Sequence, residues 1–123
     1  MKVCISSIGK DLSAFVDPRF GRAQLFLFVD TETMEYECVE NPAITAGGGA
    51  GTKAAQLVSD KGARAVLTGN VGPNAFSALS AAGVSIYVGM TGTAQQAIEQ
   101  FKTGQVHPVS GPSVGAHAGM GGR

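Results

Sequence analysis

Leu25-Phe26-Leu27-Phe28-Val29-Asp30-Thr31-Glu32-Thr33-Met34-Glu35-Tyr36-Glu37-Cys38-Val39 is the stretch on which the fold turns. It begins with an unbroken apolar run, short and rich in aromatics, which reads as a buried strand rather than a helix. From Met34 the pattern becomes an alternation, Met34, Tyr36 and Cys38 against Glu35, Glu37 and Val39, which predicts a half-buried strand. Asp30 to Thr33 is short enough for a hairpin loop, so the two strands are expected to be antiparallel neighbours.

Upstream, Val3, Cys4, Ile5 and Ile8 open a first strand. Downstream the period changes. Thr52 is placed to cap a helix with Ala54, Ala55, Leu57 and Val58 inward, stopping near Lys61-Gly62. Ala65 to Thr68 reads as a short buried strand, Gly69 to Gly72 as a turn, and Pro73 as the first residue of a helix carrying Ala75, Phe76 and Leu79. Gly83 ends that helix, and Val84 to Val88 is the fifth strand. Thr93 then caps a last helix with Ala94, Ala97, Ile98 and Phe101 on one stripe, before Gly104. This β-β-β-α-β-α-β-α order predicts an α/β fold with a mixed five-stranded sheet in spatial order 3-2-1-4-5. Crossover helices make strands one, four and five parallel, and the antiparallel meander lies on the other side.

The chain has 123 residues, enough for one domain. Nine Lys plus Arg balance nine Asp plus Glu, so no global field draws it to nucleic acid or membrane. No apolar run approaches the ~18 residues of a membrane span. The N-terminus has no signal-peptide apolar region, and a cytoplasmic location is expected. The two cysteines form no C-x-x-C pair, which removes thioredoxin-like redox chemistry and the usual zinc knuckles. Glycine is in excess, 18 of 123 residues, about twice the ordinary ~7%. Six of these (Gly104, Gly111, Gly115, Gly119, Gly121, Gly122) fall in the last twenty residues. Residues 1–105 are therefore read as a cofactor-binding α/β domain and 106–123 as a flexible tail.

With the first three strands running up, down, up, the exits of strands one, three, four and five share one edge of the sheet. Four loops converge there: Ser6 to Arg22, Pro42 to Gly51, Gly69 to Gly72 and Gly89 to Gly92. Three lead into helix N-termini, whose N–H groups attract anions, and the fourth carries Lys10, Arg19 and Arg22. Any one glycine loop is adequately explained as a tight turn. Four at the place where open α/β sheets bind ligands point to a site for a small anion. Gly47 to Lys53 is not a P-loop, because Thr52 separates Gly51 from Lys53 and no Asp at the end of strand four is placed to hold Mg²⁺.

Asp17-Pro18-Arg19-Phe20-Gly21-Arg22-Ala23, then Asp30, the Asn41-Pro42 turn, the glycine cluster before a helix, Thr68-Gly69 and Gly92-Thr93-Ala94 follow one another in a specific order. On these motifs the chain, over about residues 1–105, resembles the dinitrogenase iron–molybdenum cofactor biosynthesis family. That family includes NifX, NafY, the C-terminal part of NifB and the orange-protein branch, which holds a molybdenum–copper sulfide cluster non-covalently. The resemblance implies a three-layer ribonuclease H-like fold. It also implies non-covalent carriage of an anionic metal–sulfur cluster, an iron–molybdenum cofactor precursor or a Mo–Cu or Fe–S type. Heterologous expression can yield the empty form. Stand-alone members need not serve nitrogenase.

Combined with the glycine-rich edge, the resemblance nominates Arg19, Phe20, Gly21, Arg22, Gly48, Gly49, Gly51, Gly69, Asn70, Gly92 and Thr93 as cluster-binding residues. Cluster donor or acceptor proteins are the expected partners, with neither nucleic acid nor membrane; no sequence feature sets the oligomeric state.

Soft ligands are few. Cys4 reads as a small buried hydrophobe, and with strand two between them Cys4 and Cys38 would be ~9–10 Å apart, too far for a disulfide. Cys38 is a metal-ligand candidate against the same bland reading. His107 and His117, with Met120 near the second, match no metal motif. They belong either to a solvated tail or to a mobile arm supplying imidazole and soft ligands.

No carboxylate lies in strands one or four, so the two-metal site of a nuclease has no donors there. Glu32, Glu35, Glu37 and Glu40 read as a solvated edge, and Asp17 and Asp30 as turn and strand-end residues. No Ser/His/Asp set is arguable within the domain. The sequence therefore predicts a non-catalytic carrier. The alternative is a regulatory or assembly module that docks a protein partner, with the acidic strand as its surface.

Overall fold

Alternation in the strands and i, i+3, i+4 spacing in the helices assign each apolar residue to one of two faces of a single sheet. The structure, a computed structural model, describes residues 1–43 and 49–113. Its elements are β1 (Lys2–Ser7), β2 (Leu25–Asp30), β3 (Tyr36–Glu40), α1 (Ala50–Asp60), β4 (Ala65–Leu67), α2 (Pro73–Ala81), β5 (Ser85–Tyr87) and α3 (Ala94–Lys102). The strands form one sheet in the order β3-β2-β1-β4-β5, as expected from the sequence. β1 pairs antiparallel with β2 and parallel with β4; β2 pairs antiparallel with β3, and β4 parallel with β5.

Period-2 alternation divides the core. Cys4, Phe26, Phe28, Val66 and Ile86 face one side, where Ala54, Ala55 and Val58 of α1 and Ala75 and Leu79 of α2 cover them. Val3, Ile5, Leu27, Val29, Ala65 and Leu67 face the other, under Ala94, Ala97 and Ile98 of α3. The result is three layers. The small residues on all three helices let backbone approach the sheet closely, so the strand residues just named are almost wholly removed from water.

Expectations change at element ends. Met34, read as the first residue of the third strand, lies before β3 with φ 63°. Ile8 lies beyond β1 and is 60% exposed. Thr52 does not cap α1; the cap is Gly49, in the left-handed region at φ 75° and with no side-chain hydrogen bond, because the helix starts one turn earlier than a Thr cap would place it. Residues 106–113, read from the sequence as the start of a flexible tail, pack on the domain. Val106 packs on the α3 side and Val109 on the α1/α2 side, so the chain turns around the β5 edge. There the Val109 N–H donates to Ile86 O at 2.8 Å.

Candidate functional site

Residues 8–24, between β1 and β2, have no helix or strand period, and their geometry is set by backbone bonds to other loops. The segment runs as a belt across the strand-exit edge. At the β5 end, the Val16 N–H donates to Gly92 O at 2.9 Å, and Phe15 bridges Thr93. In the middle, the Asp17 N–H donates to Ser6 O at 2.8 Å and the Phe20 N–H to Asn70 O at 3.2 Å, while Arg19 bridges Asn70 in parallel. At the β3 end, Asn41 Nδ2 donates to Gly21 O (3.1 Å) and Ala23 O (2.8 Å). The belt ties together the end of β1, the end of β3 at Asn41, the turn after β4 and the Gly92–Thr93 turn.

Below the belt is a polar layer that sequence reading did not single out. Ser6 Oγ donates to Asp17 O at 2.7 Å and lies 2.7 Å from Thr68 Oγ1, all buried. Asp17 Oδ1 accepts the Arg19 N–H at 2.9 Å and lies 3.6 Å from Arg19 Nε. Asp17 is a turn residue, as expected, and it also orients Arg19, whose side chain is 54% exposed. Two adjacent serines ending an otherwise apolar strand were the available signal for this layer. Among the described residues every buried side-chain nitrogen and oxygen has a partner, so the edge is satisfied and pre-set rather than an empty polar pocket.

The nominated residues separate into groups. Arg19, Gly69 and Asn70 are brought together: a Cβ on Gly69 would lie 2.6 Å from Pro18 Cα, so its bareness admits the belt. Gly21 and Gly51 face each other, a Cβ on Gly21 falling 3.3 Å from Gly51 Cα; Gly51 in turn lies against Ala75. Gly69 and Gly21 let the belt close on the turn after β4 and on α1, and Gly51 lets α1 approach α2. Phe20 is 1% exposed and stacks on Phe26 with centroids 5.2 Å apart, so it anchors the belt in the core and faces no ligand. Arg22 and Lys10 are exposed, as are Ile8 and Phe15, the last two linked by an Ile8 N–H to Phe15 O bond of 3.1 Å. Gly49 caps α1. Gly48 and His117 lie outside the described residues.

The N-terminus of α3 does not serve as the anion site expected of it. Its N–H groups are taken: Ala94 donates to Ala14 O (2.8 Å), Gln95 to Leu12 O (3.0 Å) and Gln96 to Thr93 Oγ1 (3.2 Å). Gln96 Oε1 accepts from the Thr93 N–H at 2.8 Å, completing a capping box that the sequence Thr93-x-x-Gln96 signals. Gly92 and Thr93 therefore act as belt and cap residues.

Cys38 lies on β3 and His107 on the segment outside β5, so at least four strand spacings, ~19 Å, separate them. Burial pushes the Cys38 thiol up, against a smaller opposing pull from Lys10, so it is less often a thiolate than a free cysteine. Cys4 is wholly buried, its thiol raised well above the ordinary value by desolvation, and it faces the α1/α2 side while Cys38 faces the α3 side. Both are free thiols. Among the described residues no three His, Cys, Asp or Glu side chains are grouped as metal ligands. A separate polar groove of ≈ 620 Å³ runs along α3 between Thr91, Gln96, Glu99 and Gln100; it includes none of the edge cations. No helix among the described residues is long and apolar enough to cross a membrane.

Known proteins share this fold. The apo orange protein from Desulfovibrio gigas superposes with a TM-score of 0.90 at 43% identity, over 92% of this chain and 96% of that one. A NifB-like protein from Thermotoga gives 0.80 at 42% identity, over 92% and 97%. An uncharacterized protein from Methanocaldococcus jannaschii is 32% identical over 94 residues, 74% of this chain and 80% of its own. Residues 1–104 match the profile described as dinitrogenase iron-molybdenum cofactor. That span holds the whole sheet, all three helices and the belt, and on it the chain belongs to the dinitrogenase iron–molybdenum cofactor family.

Proposed function

We propose that this protein binds and carries an anionic metal–sulfur cluster, held non-covalently along the belt, and passes it between donor and acceptor proteins. The observation that carries this reading is the display of Arg19. Its backbone is fixed by Asn70 and Asp17, while its side chain stands 54% exposed, on the same β1–β2 segment that carries exposed Arg22, Lys10, Ile8 and Phe15. A metal sulfide is large, soft and weakly hydrated, and a shallow surface of guanidinium and apolar groups suits it better than a closed pocket suits it. Shallowness also favours hand-over. The likeness to the orange protein and to a NifB-like protein supports the same reading.

The test is anaerobic reconstitution with tetrathiomolybdate, with and without copper(I), followed by visible absorption and metal analysis. Arg19→Ala with Arg22→Ala is expected to weaken retention roughly tenfold or more, the scale of losing charge-assisted hydrogen bonds. Wild-type retention by that variant would remove the site from the belt.

The second reading, a docking module without cargo, draws on β3, an edge strand with Tyr36 43% exposed and Glu37 and Glu40 exposed, and on exposed Glu35 just before it. Partner capture by metal-free protein, lost on substituting Glu35 and Glu40 by Lys but not on substituting Arg19 and Arg22 by Ala, favours it.

A further inference from the structure

The turn after β4 is held from two sides, and only one of them belongs to the belt. On the belt side the Phe20 N–H donates to Asn70 O, and Gly69 packs on Pro18. On the other side is Ser113, far along the chain. Its N–H donates to Val71 O at 2.9 Å and its Oγ accepts the Val71 N–H at 2.8 Å, so one residue brackets both backbone groups of Val71. Val71 is 1% exposed, and the next residue but one, Pro73, begins α2. Ser113 is in turn held in place by the course of residues 106–113 around β5, with Val109 bonded to Ile86 O and packed on the α1/α2 core.

We infer that residues 106–113 are a splint for the candidate site, and that Ser113 is a positioning residue. By holding Val71 it fixes Asn70, and through Asn70 the backbone that displays Arg19. The path is contiguous: Ser113 to Val71, Val71 to its neighbour Asn70, and Asn70 to the Arg19–Phe20 backbone. The role in binding rests on the proposed carrier reading, but the splint itself does not.

Ser113→Ala keeps the N–H and removes the Oγ acceptor; Ser113→Thr restores a hydroxyl. In hydrogen exchange of the cargo-free full chain, the Val71 amide is expected to exchange roughly tenfold faster in Ser113→Ala and at the wild-type rate in Ser113→Thr, with the β4 amides unchanged. In titrations with tetrathiomolybdate, Ser113→Ala is expected to bind several-fold more weakly, and Ser113→Thr as wild type. Unchanged Val71 exchange in Ser113→Ala overturns the splint. Faster exchange with unchanged affinity, while Arg19→Ala with Arg22→Ala loses binding, overturns the positioning role alone. Unchanged affinity in every variant overturns the carrier site, and the exchange data still decide the splint.

Discussion

At Gly69 an added methyl would meet Pro18 backbone at 2.6–3.0 Å, and neither partner is a side chain that could swing away. Gly69→Ala is therefore expected to lower stability by roughly 1–3 kcal/mol, the range for overpacking, measured by urea unfolding. Gly49 reads identically in the sequence, but among the described residues no atom lies within 4 Å of an added Cβ and its φ is 75°, so the left-handed backbone penalty, about 1–2 kcal/mol, is the expected cost of substitution. That difference was not legible, because it depends on which residues lie opposite in space. Phe20 was misread for a related reason: it sits between two surface arginines in sequence while its ring turns inward to Phe26. The thiols were better read. With Cys38 raised chiefly by desolvation and Cys4 wholly buried, iodoacetamide at neutral pH is expected to label Cys38 slowly and Cys4 only on unfolding. The Cys38 rate should rise with pH through and beyond the ordinary thiol range. Fast labelling of both in native protein would contradict this placement.

Among the elements, the two threonines named as caps separate cleanly. Thr93 makes the capping box of α3 and also touches the belt through Phe15, so Thr93→Ala is expected to cost about 1 kcal/mol in urea unfolding, within the usual 0.5–2 range. Thr52 is exposed in the first turn of α1 and is not its cap, so Thr52→Ala should stay within about 0.5 kcal/mol. The Thr93 cap was legible because Gln96 follows at capping-box spacing; Thr52 has no Glu or Gln three residues on. Charge between elements is slight but has a definite sign. The hydrogen bond from Lys61 at the end of α1, 2.7 Å from Glu37 of β3, holds the Glu37 carboxyl below its ordinary value. A depressed carboxyl contributes stability above its unfolded pKa, and the contribution disappears as pH falls through the lower folded value. Glu37→Gln should therefore flatten the acid limb of stability against pH. The loss at pH 7 should stay below about 0.5 kcal/mol, because the pair is exposed and screened by salt. An unchanged acid limb would mean that the pair does not persist in solution.

For the whole molecule, the sheet order was readable because each strand carries its own period and the hairpin and crossovers leave few ways to join them. The belt and the splint were not readable. Both are irregular, and they are fixed by single backbone bonds such as Val16 to Gly92 and Val109 to Ile86, which leave no periodic trace. They set how a chain of zero net charge distributes its charges: Arg19 and Arg22 stand on the belt, while Glu37 and Glu40 stand on β3 and Glu35 just before it. The two outer strands are protected differently. β5 is covered by residues 106–113, whereas β3 is the other outermost strand and carries the glutamates. An outer strand with unpaired backbone groups invites pairing with another copy unless charge opposes it. Glu35→Val with Glu40→Val is therefore expected to raise the apparent mass with concentration in light scattering. Glu35→Lys with Glu40→Lys should behave as the unsubstituted chain, because a charge of either sign on both copies opposes self-pairing. If the valine variant shows no association, β3 needs no charge to stay unpaired, and its glutamates become available for the docking reading alone.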